Sequence, residues 1–296
     1  MVGKTNKKLY TQVLFYLSPA LLIILTFVIY PLVRSVYMSF FTEYNIFRHT
    51  GSGFGFQNYI EVFQDDLFWL SMKNTALYTI WVVPISIVIA LFIAVLLNNK
   101  MRGMKAFETM FFLPYITNVI AIGLAFRFIF HSKYGILNLL LSKVGIDPIT
   151  WLNDPKYALS ALVIFGIWGG LAFKIVVFLA GLQGIDKQYY QAAKIDGASK
   201  WTTFKRITLP MLSPMIAYIT VISLIGSFKV YVEVVGLYGA RPGPANSAMT
   251  IVYYIYDKFY GSNEPVIAAA ASVLMLVVIL ILTFVQLWVN KRKVHY

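Results

Sequence analysis

Few groups in this chain could do chemistry. It holds no cysteine, which excludes disulfides, thiolate metal sites and cysteine nucleophiles together. Its three histidines, His49, His131 and His295, lie far apart and give no zinc-ligand spacing. Neither a metalloprotease helix motif nor a Gly-x-Ser-x-Gly elbow occurs. Gly3-Lys4-Thr5 imitates the end of a phosphate-binding loop, but that loop needs an earlier glycine and a preceding strand. Catalytic and metal-ligating residues are therefore expected to be none, and any ATP would be bound by another chain. What remains is polar chemistry inside apolar runs. Lys174, Lys229 and Glu233 sit in such runs, where a charge should face a cavity or find a partner. Lys229 and Glu233 are four apart, so on one continuous helix they would share a face. An internal pair is expected, with a snorkelling structural role as the alternative. Small, hydroxyl-bearing and aromatic residues recur at helical spacing in the same runs: Gly166, Gly170 and Phe173, then Ser223, Gly226, Ser227 and Val230. Gly166-x-x-x-Gly170 also reads as a helix-packing motif.

A second concentration of informative residues is the segment 183–208. Residues 187–196 are good helix formers, Gly197 suits a left-handed helix end, and Ser199 can cap a second short helix. Trp201, Phe204 and Ile207 recur at about one-turn spacing and give that helix an apolar stripe. Ala192, Ala193 and Ala198 remove bulk beside Gly197, which permits close approach of another protein surface. The alternative is an amphipathic helix resting on lipid; the small-residue patch and the embedded Asp196 argue against it.

The elements that position these residues follow from composition. Hydrophobic residues make up 59% of the 296 and charged residues 12%, about half the charge of a soluble domain. An integral membrane protein is expected, all-α, with the lipid bilayer as its solvent. Six apolar runs are long enough to cross: about 14–38, 68–97, 107–130, 158–182, 209–237 and 266–289. The first is too long for a signal-peptide core and carries Tyr30 and Pro31 with no small-residue cleavage site, so it reads as a retained span. The spans make a transmembrane domain over 14–290, with tails 1–13 and 291–296. Runs of this length are helices, because barrel strands alternate and are shorter.

Net charge is +13. Nucleic acid is not implied, because the basic residues cluster at the ends of apolar runs. The first tail holds Lys4, Lys7 and Lys8, and the loop after the second run Lys100, Arg102 and Lys105. The loop after the fourth holds Lys187, Lys194, Lys200, Lys205 and Arg206, and the last tail Lys291, Arg292 and Lys293. The other side has half as many: Arg48, Lys73, Lys133, Lys143, Lys156, Arg241 and Lys258. Both termini are therefore expected in the cytoplasm. The outer loops, roughly 39–67, 131–157 and 239–264, are long enough to fold as caps that meet an external partner, or to serve as plain connections.

At this point the sequence resembles a known family. Gln191-Ala192-Ala193-Lys194-Ile195-Asp196-Gly197-Ala198, followed by Phe204 and Ile207-Thr208-Leu209-Pro210, is similar to the Glu-Ala-Ala-x-x-x-Gly loop of ABC importer permeases, in its carbohydrate-importer variant. Asn74-Thr75, Leu113-Pro114, Gly135-Ile136-Leu137-Asn138, Trp151-Leu152, Trp168, Leu179-Ala180-Gly181-Leu182-Gln183, Ser227-Phe228 and the Gly/Pro-rich 239–244 segment extend the resemblance over most of the chain. Two positions depart from it: Gln191 stands where the loop usually has Glu, and Asp186 where Pro usually follows Ile185.

The resemblance implies a permease subunit of the inner membrane that binds no cofactor itself. It implies a second homologous permease, two ATP-binding subunits that hold ATP and Mg, and an external solute-binding protein. Gln191, Ala192, Ala193, Asp196, Gly197 and Ala198, flanked by Trp201 and Phe204, would couple to the ATPases. Gly166, Gly170, Phe173, Ser223, Gly226, Ser227 and Val230 would line the path of a sugar, whose apolar faces and polar edges suit aromatic rings and hydroxyls. An importer for glycerol phosphate or another small polar solute stays open because of Lys174. An ion-coupled carrier would need more midplane acids than Glu233, and a membrane enzyme would need the motifs that are absent.

Overall fold

The computed structural model describes residues 7–98, 109 and 115–293, with side chains described from 12 to 290 within that set. The start of the third expected span, including Leu113 and Pro114, the loop residues Lys100, Arg102, Lys105 and Glu108, and the outermost tail residues fall outside it. The chain divides into two compact units, Met1–Asp65 with Ile255–Leu276, and Asp66–Tyr254 with Val277–Tyr296.

Helices dominate because long apolar runs satisfy their backbone groups internally, which a lipid solvent requires. Helix α1 spans Lys7–Ile24 and continues through a π-turn at Leu25–Ile29 into α2, Tyr30–Met38. The turn has a local cause. Pro31 carries no N–H, and the preceding residue, Tyr30, donates to the carbonyl of Leu25 instead. The same device recurs before Pro210, where a π-turn at Phe204–Thr208 ends with Leu209 donating to Phe204. Among the described residues, four helical stretches are long and apolar enough to cross a membrane: Gln12–Met38, Asp66–Leu97, Pro155–Gln183 and Pro265–Asn290. A fifth crossing is available if the pair Lys200–Met211 and Ser213–Phe228, bent by 61°, counts as one span. The run expected at 107–130 is described as a shorter helix, Val119–Ile129.

Two expectations need correction. The class is not purely helical, because the segment after α2 forms a hairpin of β1, Phe41–Asn45, and β2, Thr50–Phe54, with Phe41 opposite Phe54 and Asn45 opposite Thr50. Asn45 shapes its turn: Oδ1 accepts from the N–H groups of Phe47 and Arg48 at 3.0 and 2.9 Å. His49 takes a left-handed φ of 57° there. Arg34 reaches from α2 to the hairpin tip, donating to the carbonyl of Ile46 at 2.9 Å and pairing with Nδ1 of His49. The second correction concerns 209–237, which is not one helix. It bends at Leu212, beside Pro210 and Pro214, and stops at Phe228 before restarting at Val232.

The first unit also contains α3, Gln57–Gln64, and the segment around Lys258. Lys258 Nζ lies 3.1 Å from Asp65 Oδ2 and 2.9 Å from Glu264 Oε2. Burial by itself lowers the pKa of this ammonium. Its hydrogen bonds to Glu264 and Asp65, and their charges, outweigh burial and hold it above the ordinary lysine value. A raised folded pKa stabilises fully below the unfolded pKa and is lost only as pH rises through the folded one. The contribution is thus constant across neutral pH and fades only in the alkaline range. Lys258→Met should cost about 1 kcal/mol by removing the ammonium that Asp65 and Glu264 share. Thermal unfolding of the purified protein checks this; an unchanged midpoint at neutral pH would show that the triad does not hold the unit together.

In the second unit, α4 (Asp66–Leu97) packs against α8 (Leu171–Gln183). Between them run α5 (Val119–Ile129), α6 (Ile136–Lys143) and α7 (Pro155–Gly169). Ala90 and Ala94 leave room for Ile175, Phe178 and Leu182, with Leu212 and Ile219 closing the same cluster. Lipid tails are as apolar as these side chains, so close packing and buried hydrogen bonds, rather than water exclusion, hold the helices. Several buried polar groups are satisfied accordingly, while among the described residues Thr283 Oγ1 and the Gln286 amide have no hydrogen-bond partner. Asn74 donates to the carbonyls of Ser247 and Met249 at 3.2 and 3.0 Å, and Thr75 Oγ1 accepts from Ile251 N–H at 2.9 Å. Asn138 organises the 131–157 connection: it donates to the carbonyls of Ser132 and Ile149 and accepts from the Trp151 indole at 2.9 Å.

Candidate functional site

Helix α9 is Lys187–Ile195. Asp186, which stands where the resemblance expects Pro, caps it by accepting from Gln188 N–H at 2.9 Å, so the departure supplies an N-cap in place of a rigid N-terminal residue. At the other end Gly197 takes φ +70°. Its N–H donates to Lys194 at 3.2 Å, while that of Ala198 donates to Ala193 at 2.9 Å. That is the Schellman arrangement, in which the left-handed residue turns the chain and satisfies the last carbonyls. Ser199 then accepts from Thr202 N–H at 3.2 Å and starts α10, Lys200–Thr203. The chain therefore turns at Gly197 between two short helices.

Gln191, Ala192 and Ala193 lie on α9, with only Ala193 buried, and Asp196 is its C-cap. A Cβ added at Gly197 would meet nothing within 4 Å, so the glycine is required by backbone conformation and not by crowding. Ile195 is 87% and Trp201 70% exposed, and Trp201 stacks on Phe204 with ring centres 5.8 Å apart. Two large apolar side chains and Ala192 thus stand exposed on this segment.

The second site is a cavity of about 420 Å³. Helix α11, Ser213–Phe228, supplies Ser223, Gly226 and Ser227, and Val230 follows it. From α7 and α8 come Gly166, Gly170, Phe173 and Lys174. All seven residues expected on a substrate path thus share one cavity. Glu233, on α12 (Val232–Tyr238), lines it too. Lys229 does not: it is the C-cap of α11 and is exposed. The expected Lys229–Glu233 pair is therefore not formed. The helix is interrupted between them, so four residues of separation no longer place them on one face, and no ion pair joins them among the described residues.

Sequence reasoning missed the remaining walls. Tyr78, Val82 and Val83 come from α4, Tyr115, Thr117, Val119 and Ile122 from the start of α5 and the residues before it, and Phe165 and Trp168 from α7. Tyr115 stacks on Phe173 with ring centres 6.1 Å apart. The glycines earn their place by contact: a Cβ at Gly166 would run into the Tyr78 ring, and one at Gly170 would sit 2.6 Å from Lys174 Nζ. At Gly226 a Cβ would meet nothing within 4 Å. The cavity thus combines aromatic faces, hydroxyls, a carboxyl and an ammonium, the set a polyhydroxylated solute can use. One signal could have flagged its aromatic wall: Trp168 and Phe165 lie in the same run as Gly166 and Gly170.

Comparison with known proteins adds the following. Residues 67–295 match a family described as binding-protein-dependent transport system inner membrane component. The chain is 34% identical over 285 residues to the lactose transport system permease protein LacF of Rhizobium radiobacter, covering 94% of this chain and 93% of that protein. It is 33% identical over 274 residues to the arabinooligosaccharides transport system permease protein AraP of Bacillus subtilis, covering 92% and 86%. A chain in the crystal structure of a bacterial alginate ABC transporter, in complex with an alginate pentasaccharide-bound periplasmic protein, superposes with a TM-score of 0.80 at 26% identity, over 97% of this chain and 96% of that one.

Proposed function

The chain belongs to the family of binding-protein-dependent transport system inner membrane components, and on that premise we propose that it is the permease subunit of an ATP-driven ABC importer, forming half of the translocation path for a sugar or oligosaccharide handed over by an external solute-binding protein. The observation that carries this reading is the shared cavity, where aromatic rings, serine hydroxyls and glycines from α4, α7, α8 and α11 converge. The names of the relatives agree in substrate class: lactose, arabinooligosaccharides and an alginate oligosaccharide.

The partners follow from the same reading. A second homologous permease completes the path, and two ATPase subunits bind ATP and Mg. The exposed Trp201–Ile195 surface, with Gln191, Ala192, Ala193, Asp196, Gly197 and Ala198 beside it, is where an ATPase subunit docks. Six crossings are the reading that accounts for the four long helices, the bent pair and the Val119–Ile129 helix together. The charge bias then puts both termini and the 183–208 loop in the cytoplasm.

Two experiments test this. Single cysteines are informative because the chain has none of its own. An impermeant thiol reagent applied to intact cells should label a cysteine at Lys143 and spare one at Lys200; the reverse pattern overturns the orientation. The complex co-purified with its ATPases should hydrolyse ATP faster when solute-loaded binding protein is added. Hydrolysis indifferent to that protein, with uptake following a proton gradient instead, would establish an ion-coupled carrier.

A further inference from the structure

The cavity holds a charge whose needs the protein leaves unmet. Lys174 is only 6% exposed, and its ammonium lines the cavity. It donates to the carbonyl of Gly170 at 3.0 Å, the one hydrogen bond it makes among the described residues, and no carboxylate lies within ion-pair distance there. An ammonium has three donors, so two are left for whatever occupies the cavity. Gly170 leaves the ammonium room, since a Cβ there would lie 2.6 Å from Nζ and push the flexible lysine end aside.

The other ionisable groups facing the cavity are Glu233, Tyr78 and Tyr115. Glu233 differs from Lys174 in being provided for: its carboxyl group accepts from the backbone N–H groups of Tyr231 and of Glu233 itself. A buried cation in a low-dielectric site, held by a single carbonyl, is costly unless it gains a counter-charge. A neutral sugar supplies only hydroxyl dipoles, whereas an anionic group supplies charge and several acceptors at once.

We propose that Lys174 makes this cavity selective for solutes that carry an anionic group, a carboxylate or a phosphate, on a saccharide or polyol scaffold. The inference rests on reading the cavity as the solute path. In it Lys174 takes the anionic oxygen, the serines and aromatic rings take the hydroxyls and ring faces, and Glu233 stays on its backbone amides.

The test uses the complete complex, with both permeases, the ATPases and the binding protein, in proteoliposomes. Three labelled probes are compared: an oligogalacturonide trisaccharide, glycerol 3-phosphate and maltotriose. The wild type should take up one of the two anionic probes, and which one identifies carboxylate or phosphate as the source. Lys174→Met should raise the half-saturating concentration for that probe on the order of tenfold or more, with ATPase subunits still co-purifying. Lys174→Arg keeps the charge and should keep most of the uptake. Because the binding protein is the same throughout, the difference between variants isolates the cavity. Uptake of maltotriose alone, or anionic-probe uptake unchanged by Lys174→Met, overturns the inference while leaving the sugar-importer reading standing. Uptake of none of the three overturns the inference, and the importer reading is then decided by its own ATPase assay.

Discussion

Gly197→Val is expected to abolish ATP-driven uptake in a chain that still inserts and accumulates normally. The residue sits at φ +70°, and its N–H and that of Ala198 close the end of α9. A β-branched side chain disfavours that conformation by roughly 1–2 kcal/mol or more, enough to populate other turn geometries. The added side chain itself meets open space, so it clashes with nothing in this chain. Its two effects are to redirect the turn and to add bulk next to Ala198 in the chain. The spans and the cavity lie elsewhere and are untouched. The complex should therefore lose its ATPase subunits, or hydrolyse ATP without transport, with uptake down at least tenfold. Asp196→Ala should do less, because it removes a surface carboxylate and leaves the backbone path in place. Pull-down of the ATPases beside an uptake assay separates the outcomes. Full uptake with Gly197→Val at normal expression would show that this loop transmits nothing.

The second large effect lies at the other site. Gly226→Trp should block passage while leaving the coupling machinery intact. Gly226 lines the cavity near the end of α11, and a Cβ there meets nothing within 4 Å. The Cβ thus meets no crowding and the indole extends from it into the cavity that Gly226 lines, and replacing glycine removes a helix-weakening residue. Expression and ATPase co-purification should match the wild type, with uptake of the transported saccharide reduced on the order of tenfold or more. Gly226→Ala adds only a methyl and should transport almost normally. Equal uptake by the Trp and wild-type forms would mean the solute takes another route. The two variants are complementary, since one keeps the cavity and loses the drive while the other does the reverse.

What could be read from the sequence tracks the range of the interactions involved. The cap residues Gly197 and Ser199 were legible because a helix end is decided within a few residues of backbone. The shared cavity of Gly166, Gly170, Phe173, Ser223, Gly226, Ser227 and Val230 was partly legible, because Gly166 with Gly170 and Ser223 with Gly226 and Ser227 recur at helical spacing, whereas Val230 lies past the end of α11. Tyr78 was not, because it reaches the cavity through the packing of α4 against α7, with Gly166 leaving room for its ring. Lys229 and Glu233 misled for a related reason. Their four-residue spacing carries meaning only on an unbroken helix, and residues 229–231 depart from helical geometry, with Tyr231 at φ −143°. The hairpin at 41–54 was hidden in what looked like a connecting segment. Its register depends on Phe41 meeting Phe54 across a turn, and its turn on the side-chain acceptor of Asn45. The early bend at Leu212 was half legible: Pro210 and Pro214 were evident, but their effect depended on the π-turn that precedes them.

The measurement that bears most directly on the central claim is saccharide accumulation in proteoliposomes containing this chain, its homologous permease and the ATPase subunits. Binding protein is supplied on the outer face and ATP on the inner. Accumulation that requires both, and that stops with Gly226→Trp, is the expected result. Accumulation that proceeds without ATP on a proton or sodium gradient, or that Gly226→Trp leaves undiminished, would contradict the claim that this chain is an ATP-driven importer's permease with its solute path through the α7–α8–α11 cavity.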